Sequence, residues 1–159
     1  MDLSTLPVGN VPHALTFEHF PTRHQAVIWR NINLVPSERI ARALGTTRDE
    51  IISSAEEMGL TVDERNTGLW LERGFQTIIR RNWELLPYEQ ILQLLEWTPE
   101  KLAFILKEDD FLWVKLGHCK PHCQPVQFRG LSDAEKKRTA EIRALMLEHF
   151  GNEPPATAQ

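Results

Sequence analysis

The chain has 159 residues, of which 42% are hydrophobic and 25% are charged, a balance that suits one domain with a packed core. Its formal net charge of −4 provides no general attraction to nucleic acid or to anionic membranes. No apolar run approaches the roughly 20 residues needed to span a bilayer, and the N-terminus lacks the pattern of a signal peptide, so we expect a cytoplasmic protein.

Residues 1 to about 20 contain prolines and little periodicity. This pattern predicts an extended arm whose Leu15, Phe17 and Phe20 could dock on the body of the protein.

The first structural unit follows the arm. The run Ala26–Trp29 resembles a short β-strand, and Pro36 lies where the first turn of a helix tolerates a missing N–H. Apolar residues then recur at helical spacing up to Leu44, and Gly45 suits a helix end. Thr47 and Glu50, three residues apart, form a capping-box pattern that predicts a second helix. Together these elements predict a helix-turn-helix unit.

The same pattern recurs 51 residues later, so that Gln25 corresponds to Gln76. In this second unit Thr77–Ile79 is the β-like run, Pro87 begins a helix, and Thr98 precedes another helix. A further strand is predicted in the segment FLWVKLG. A repeat of this period indicates one supersecondary unit used twice.

A second capping-box pattern, Ser132 with Glu135, predicts a C-terminal helix. We therefore predict a single, mainly α domain with two pseudo-symmetric strand–helix-turn-helix units, a C-terminal helix and only minor short strands. The predicted ranges are 1–150 for the domain, about 22–66 and 73–117 for the units, 132–150 for the C-terminal helix, and 151–159 for a disordered tail or linker.

The segment PSERIARALGTTRDEIISSAEEMG resembles the helix-turn-helix segments of bacterial transcriptional regulators. However, its second helix carries one basic residue, Arg48, against four acidic ones. A helix that enters the DNA major groove passes between phosphates, so this balance disfavours DNA binding, which remains the alternative function.

The repeated Arg-Asn pairs, Arg30-Asn31 and Arg81-Asn82, have two interpretations. They could bind an anion, or the asparagines could turn the chain while the arginines pair with acids such as Glu38 and Glu89. We favour the structural interpretation.

The segment GHCKPHCQP offers a possible metal site, because soft ligands lie close together in it. Structural zinc sites usually take ligand pairs from separated segments, so we expect a polar loop with reduced thiols and no metal. The ligands of the weaker alternative are His118, Cys119, His122 and Cys123.

Among five tryptophans, Trp29 and Trp113 lie in β-like runs and are predicted in the core. Other aromatic residues lie at a loop, a turn or the start of a helix, where we expect side chains to be exposed. These exposed residues predict a surface that binds a protein or a neighbouring domain. That surface comprises Trp83, Tyr88, Trp97, Arg80 and Arg81. No motif of nucleophilic, phosphate-binding or metalloprotease chemistry occurs in the sequence, so we predict a non-enzyme without a cofactor.

Several segments, LTFEHFPTRHQAVIWRN, GFQTIIRRNWELLPYEQILQLLEWTPEKLAFILKEDDFLWVKLG and AEIRALMLEHF among them, resemble the N-terminal region of large uncharacterised bacterial proteins. Those proteins continue into a part that is similar to glycoside hydrolases. The resemblance covers about residues 15–150. It implies a non-catalytic accessory or interaction module and carries no active-site residue onto this chain.

Overall fold

The architecture is mainly helical, as the sequence predicts. A computed structural model describes residues 2–9, 19–108 and 111–150, and in these ranges the chain forms nine helices. They are α1 (Arg23–Asn31), α2 (Ser37–Leu44), α3 (Arg48–Glu57), α4 (Thr67–Arg73), α5 (Phe75–Asn82), α6 (Tyr88–Leu95), α7 (Pro99–Glu108), α8 (Leu112–Lys115) and α9 (Asp133–Phe150).

The predicted strands are wrong. Ala26–Trp29 lies inside α1, Thr77–Ile79 lies inside α5, and most of FLWVKLG forms α8 and its flanking turns. In α1 the buried side chains include His24, Val27, Ile28 and Asn31, which is a helical spacing. Two of these four residues are polar, so the buried face of the helix does not appear in the sequence as an apolar stripe. Only the short apolar run Ala26–Trp29 stands out, and it resembles a strand. In the described ranges β-type pairing is limited to one isolated bridge, between Gly9 and Cys119.

The predicted helix starts are confirmed by their capping bonds. The Thr47 hydroxyl accepts the Glu50 N–H at 3.3 Å, and α7 begins at Pro99 directly after Thr98. At α9 the capping box is reciprocal, because Ser132 N donates to Glu135 Oε1 at 2.8 Å and Glu135 N donates to the Ser132 hydroxyl at 3.2 Å. Each bond satisfies a backbone donor that the first helical turn leaves without a partner.

Both helix-turn-helix turns use the same backbone conformation at corresponding positions. Gly45, directly after α2, has a φ of 74°, and Glu96, directly after α6, has a φ of 54°. This left-handed region costs a residue with a Cβ roughly 1 kcal/mol or more. The Glu96 side chain forms an ion pair with Arg39, whose Nε lies 2.7 Å from the carboxylate.

Two asparagines join the units at the centre of the core. Asn31 Nδ2 donates to Asn82 Oδ1 at 2.7 Å, and Asn82 Nδ2 donates to Asn31 Oδ1 at 2.8 Å. The second N–H of each amide donates to its own helix, to Val27 O and to Ile78 O respectively. Both side chains are fully buried at the last residues of α1 and α5, and their bonds to each other are contacts that the sequence interpretation did not include.

The neighbouring arginines are also bonded reciprocally, each side chain donating to the backbone carbonyl of the other residue. Arg30 Nη1 donates to Arg81 O, and Arg81 Nε donates to Arg30 O, each at 2.7 Å. Glu38, suggested as a partner for Arg30, lies instead 3.4 Å from the guanidinium of Arg48. These two hydrogen bonds therefore join the C-terminal end of α1 to the C-terminal end of α5.

A further pair of corresponding residues links α2 to α6. Arg39 Nη1 donates to Leu94 O and Leu95 O at 3.2 Å, and Gln90 Nε2 donates to Ala43 O at 2.8 Å. Each side chain thus satisfies carbonyls at the C-terminal end of the other unit's helix, which lack an intrahelical donor.

One continuous cluster of buried side chains includes residues from both units and from α9, which contributes Ile142 and Met146. The N-terminal segment adds Leu6 to this cluster, and the Phe20 ring lies 5.2 Å from that of Trp29. Leu15, Phe17 and the predicted tail 151–159 lie outside the described residues.

A matched pair of glycine substitutions tests the turn between α2 and α3. We expect Gly45→Ala to destabilise the protein by roughly 1 kcal/mol, because its φ is left-handed. Gly68→Ala, in α4 with open space around it, should be neutral or stabilise by about 0.5 kcal/mol. Urea unfolding monitored by circular dichroism gives both values, and equal effects would contradict the turn geometry.

A double-mutant cycle tests the asparagine pair. Asn31→Ala or Asn82→Ala alone should cost about 3 kcal/mol, because each leaves buried polar atoms of the other amide unpaired. The double variant should cost less than the sum by about 1–3 kcal/mol. The control combines Asn31→Ala with Ser132→Ala. Ser132 bonds a different residue, Glu135, so the two free-energy changes should add within about 0.5 kcal/mol. Additivity of the asparagine pair would refute the coupling.

Candidate functional site

Two residues of the predicted partner surface are buried, so their expected exposure is wrong. Trp83 and Tyr88 are 3% and 8% exposed. The Trp83 ring meets those of Tyr88 and Trp113 edge-on, with centroids 5.7 and 5.9 Å away. Trp83 Nε1 donates to Cys119 O at 2.7 Å, and the Tyr88 hydroxyl donates to Pro7 O. These rings join the N-terminal segment and the 119–120 segment to α6.

The other three residues of that predicted surface lie in different surroundings. Trp97 is half-buried, with its ring centroid 5.3 Å from that of Phe75 and the Lys101 ammonium 4.6 Å above it. Arg80 is exposed, whereas Arg81 is half-buried and bonds Arg30 O. A partner role for Trp97, Arg80 and Arg81 stays a prediction.

The Cys/His loop divides between core and surface. Cys123 is buried and Cys119 half-buried, both as free thiols, while His118 and His122 are exposed. Over the ranges 2–9, 19–108 and 111–150, no group of three or more His, Cys, Asp or Glu residues could hold a metal ion.

A buried lysine, which no sequence pattern singled out, lies in this loop. Lys120 is 3% exposed, and its Nζ donates to Trp83 O at 2.9 Å and to Pro121 O at 3.0 Å. The ammonium also lies 5.4 Å from the ring centroid of Trp83 and 5.6 Å from that of Tyr88, a cation–π arrangement. Burial lowers the pKa of Lys120, since it disfavours the charged form.

A cleft of about 410 Å³ lies between α3, α9 and the segment 128–131. Its volume falls in the range of small-ligand sites, roughly 300–1,000 Å³. The lining residues are His24, Glu50, Ser53, Ser54, Glu57, Phe128, Arg129, Gly130, Leu131, Lys136, Thr139, Ala140 and Arg143.

The two walls of this cleft carry opposite charge. α3 contributes Glu50 and Glu57, and α9 contributes Lys136 and Arg143. Among the described side chains no ion pair joins these two walls. Arg129, at the rim, already bonds Glu135 at 2.7 and 2.8 Å, and that guanidinium lowers the pKa of Glu135 to about 2.

A neutral histidine lies at the inner end of the cleft. His24 is 2% exposed, its ring centroid lies 4.7 Å from that of Phe128, and its Nε2 lies 3.4 Å from the Thr22 hydroxyl. Burial, with a smaller contribution from Arg129, lowers the pKa of His24 to about 4. The cleft therefore combines a neutral imidazole and hydroxyl groups inside with carboxylates and cations on facing walls.

No protein-family model, curated protein or solved structure matches this chain. Across the described parts of the chain, none of the helices has the length and apolar character required to traverse a bilayer.

The buried histidine predicts an acid-sensitive stability. In the unfolded chain His24 takes up a proton near its ordinary pKa of 6.5, but in the folded protein only near pH 4. Its contribution is therefore fully present above pH 6.5 and is lost as the pH falls toward 4. Urea unfolding between pH 7 and 5 should show a smaller loss of stability for His24→Gln than for the unmodified protein. Identical pH dependence would contradict a neutral, buried imidazole.

Proposed function

We propose that this chain is a non-catalytic interaction module whose cleft binds a short polypeptide segment carrying both positive and negative side chains. The observation that supports this proposal is the pair of oppositely charged walls, Glu50 and Glu57 facing Lys136 and Arg143, that do not pair with each other. Complementary charges on a partner would satisfy both walls at once, and such complementarity gives specificity and orientation.

The rest of the cleft suits a peptide as well. Phe128 is half-buried and Leu131 lies beside it at the rim, so apolar contact is available between the charged walls. Ser53, which is exposed, adds a hydroxyl group that can donate and accept hydrogen bonds. A polypeptide segment supplies all three kinds of group within a few residues.

The proposed partner is a protein or a covalently linked neighbouring domain. The resemblance to the N-terminal region of bacterial proteins with a glycoside-hydrolase-like part favours the linked domain, and this module would then be an accessory to a carbohydrate-active enzyme. The two units serve as its scaffold. Their proposed pseudo-symmetry is supported by the exchanges Arg30 with Arg81 and Asn31 with Asn82 at the 51-residue offset.

The DNA-binding alternative is less well supported. The basic residue of α3, Arg48, is engaged by Glu38 and Glu64 at 3.4 and 3.3 Å, which leaves the acidic residues of that helix to face an approaching phosphate. The C-terminal end of α3 also abuts α9, since a Cβ at Gly59 would lie 2.9 Å from Met146 Cβ. The exposed acidic residues of α3 would therefore lie beside the phosphates that border a major groove.

Selection from a phage-displayed library of random peptides tests the proposal. We expect enriched peptides to carry both acidic and basic residues, with binding weakened about tenfold or more by the double variant Lys136→Glu/Arg143→Glu, because it removes one charged wall. The matched control Arg73→Glu/Lys107→Glu reverses one lysine and one arginine at exposed positions outside the cleft and should bind normally.

Two results would contradict the proposal. Selected peptides that bind both double variants equally would place the binding surface elsewhere. Salt-sensitive retardation of duplex DNA at micromolar protein would favour the regulator instead.

A further inference from the structure

We propose that Lys120 and Cys123 form a site of reversible oxidative modification, in which peroxide joins the lysine Nζ and the cysteine Sγ through a covalent S–N bond. The two atoms already lie 3.5 Å apart in a hydrogen bond. Both side chains are buried, at 3% and 4% exposed, so neither can readily turn away into solvent.

Neighbouring groups fix the lysine against the sulfur. Lys120 Nζ is held by the carbonyls of Trp83 and Pro121, and the Cys123 thiol also approaches Pro121 O at 3.5 Å. The shared carbonyl places amine and thiol side by side. Such positioning gives an intramolecular reaction a large advantage over reaction with external partners.

The amine also has the reactivity that the step requires. Only the neutral form of an amine carries the lone pair that attacks sulfur. Burial lowers the pKa of Lys120, which raises the fraction in this form at a given pH. The segment is close to solvent on both sides of Cys123, because His122 and Gln124 are exposed, so a small oxidant has a short path to the sulfur.

The chemistry balances in two steps with hydrogen peroxide as oxidant. The Cys123 thiol first reacts with one peroxide to give a sulfenic acid and one water, so that sulfur loses two electrons and the peroxide O–O bond breaks. Lys120 Nζ then attacks this sulfur, the S–O bond breaks, the hydroxyl leaves with one amine proton as water, and an S–N bond forms. Two thiols of a reductant reverse the link, regenerating the thiol and the amine as they become a disulfide.

The S–N link would alter the surroundings of the Trp83 and Tyr88 rings. The bonded nitrogen keeps one hydrogen, so it can no longer donate to both Trp83 O and Pro121 O. Its positive charge near the rings of Trp83 and Tyr88 is also removed. Because Tyr88 bonds Pro7 O and Lys120 N bonds Val8 O, oxidation is expected to act on the docking of the N-terminal segment.

Mass spectrometry of the full-length Cys119→Ser variant tests the proposal. This background excludes a Cys119–Cys123 disulfide, which would have the same mass. Trypsin does not cleave between Lys120 and Pro121, so the peptide from Leu116 to Arg129 contains both residues. After mild peroxide treatment we expect this peptide to be about 2 Da lighter, resistant to alkylation, and restored by a thiol reductant. Fragmentation should give no backbone fragments between Lys120 and Cys123.

The control adds Lys120→Leu, which removes the amine and introduces a side chain that peroxide does not oxidise. It should show oxygen addition at Cys123 in place of the mass loss. If that variant fails to fold, the fragmentation pattern of Cys119→Ser still decides. Unmodified peptide, a gain of about 32 Da from sulfinic acid, or a gain of about 14 Da with oxygen retained between nitrogen and sulfur would overturn the S–N assignment.

Discussion

The reciprocal bonding of Asn31 and Asn82 is the constraint on which the arrangement of the two units depends. Each amide uses both N–H groups and its oxygen in the dry centre of the core, so neither unit alone can satisfy its asparagine. A buried amide without its partner costs about 1–3 kcal/mol. Apolar surface drives the units together, whereas this pair fixes their register, because sliding one helix would break the bonds at once.

Around this centre, residues 51 positions apart make hydrogen bonds of different kinds. Arg39 and Gln90 correspond in sequence and bind carbonyls of the opposite unit through different chemistry. Gly45 and Glu96 correspond at the helix ends, and the Glu96 carboxylate pairs with Arg39 of α2. The contacts between α2 and α6 thus differ in chemistry at positions 51 residues apart.

The segments after α8 make the two units unequal. Gln90 also donates to Val126 O, and Phe128 N donates to Leu44 O, so the loop before α9 is fixed to both units. α9 then lies beside α3 of the first unit, while α7 of the second unit is followed by α8. The charged cleft forms where α9 and residues 128–131 meet α3, next to His24, and Lys120 lies beside the rings of Trp83 and Tyr88.

Features that depend on a few neighbouring residues were predictable from the sequence. These features are the helix starts at Thr47, Thr98 and Ser132, the glycine after α2 and the mainly helical class, because local hydrogen bonds and backbone preferences control them. The remaining features depend on contacts between distant parts of the chain. α1 and α5 looked like strands because they place buried asparagines where an amphipathic helix has apolar residues. Trp83 is buried and Lys120 is desolvated because chain segments about 37 residues apart meet, a contact that no local pattern encodes. The cleft likewise requires α3 and α9 side by side, which sequence spacing cannot specify.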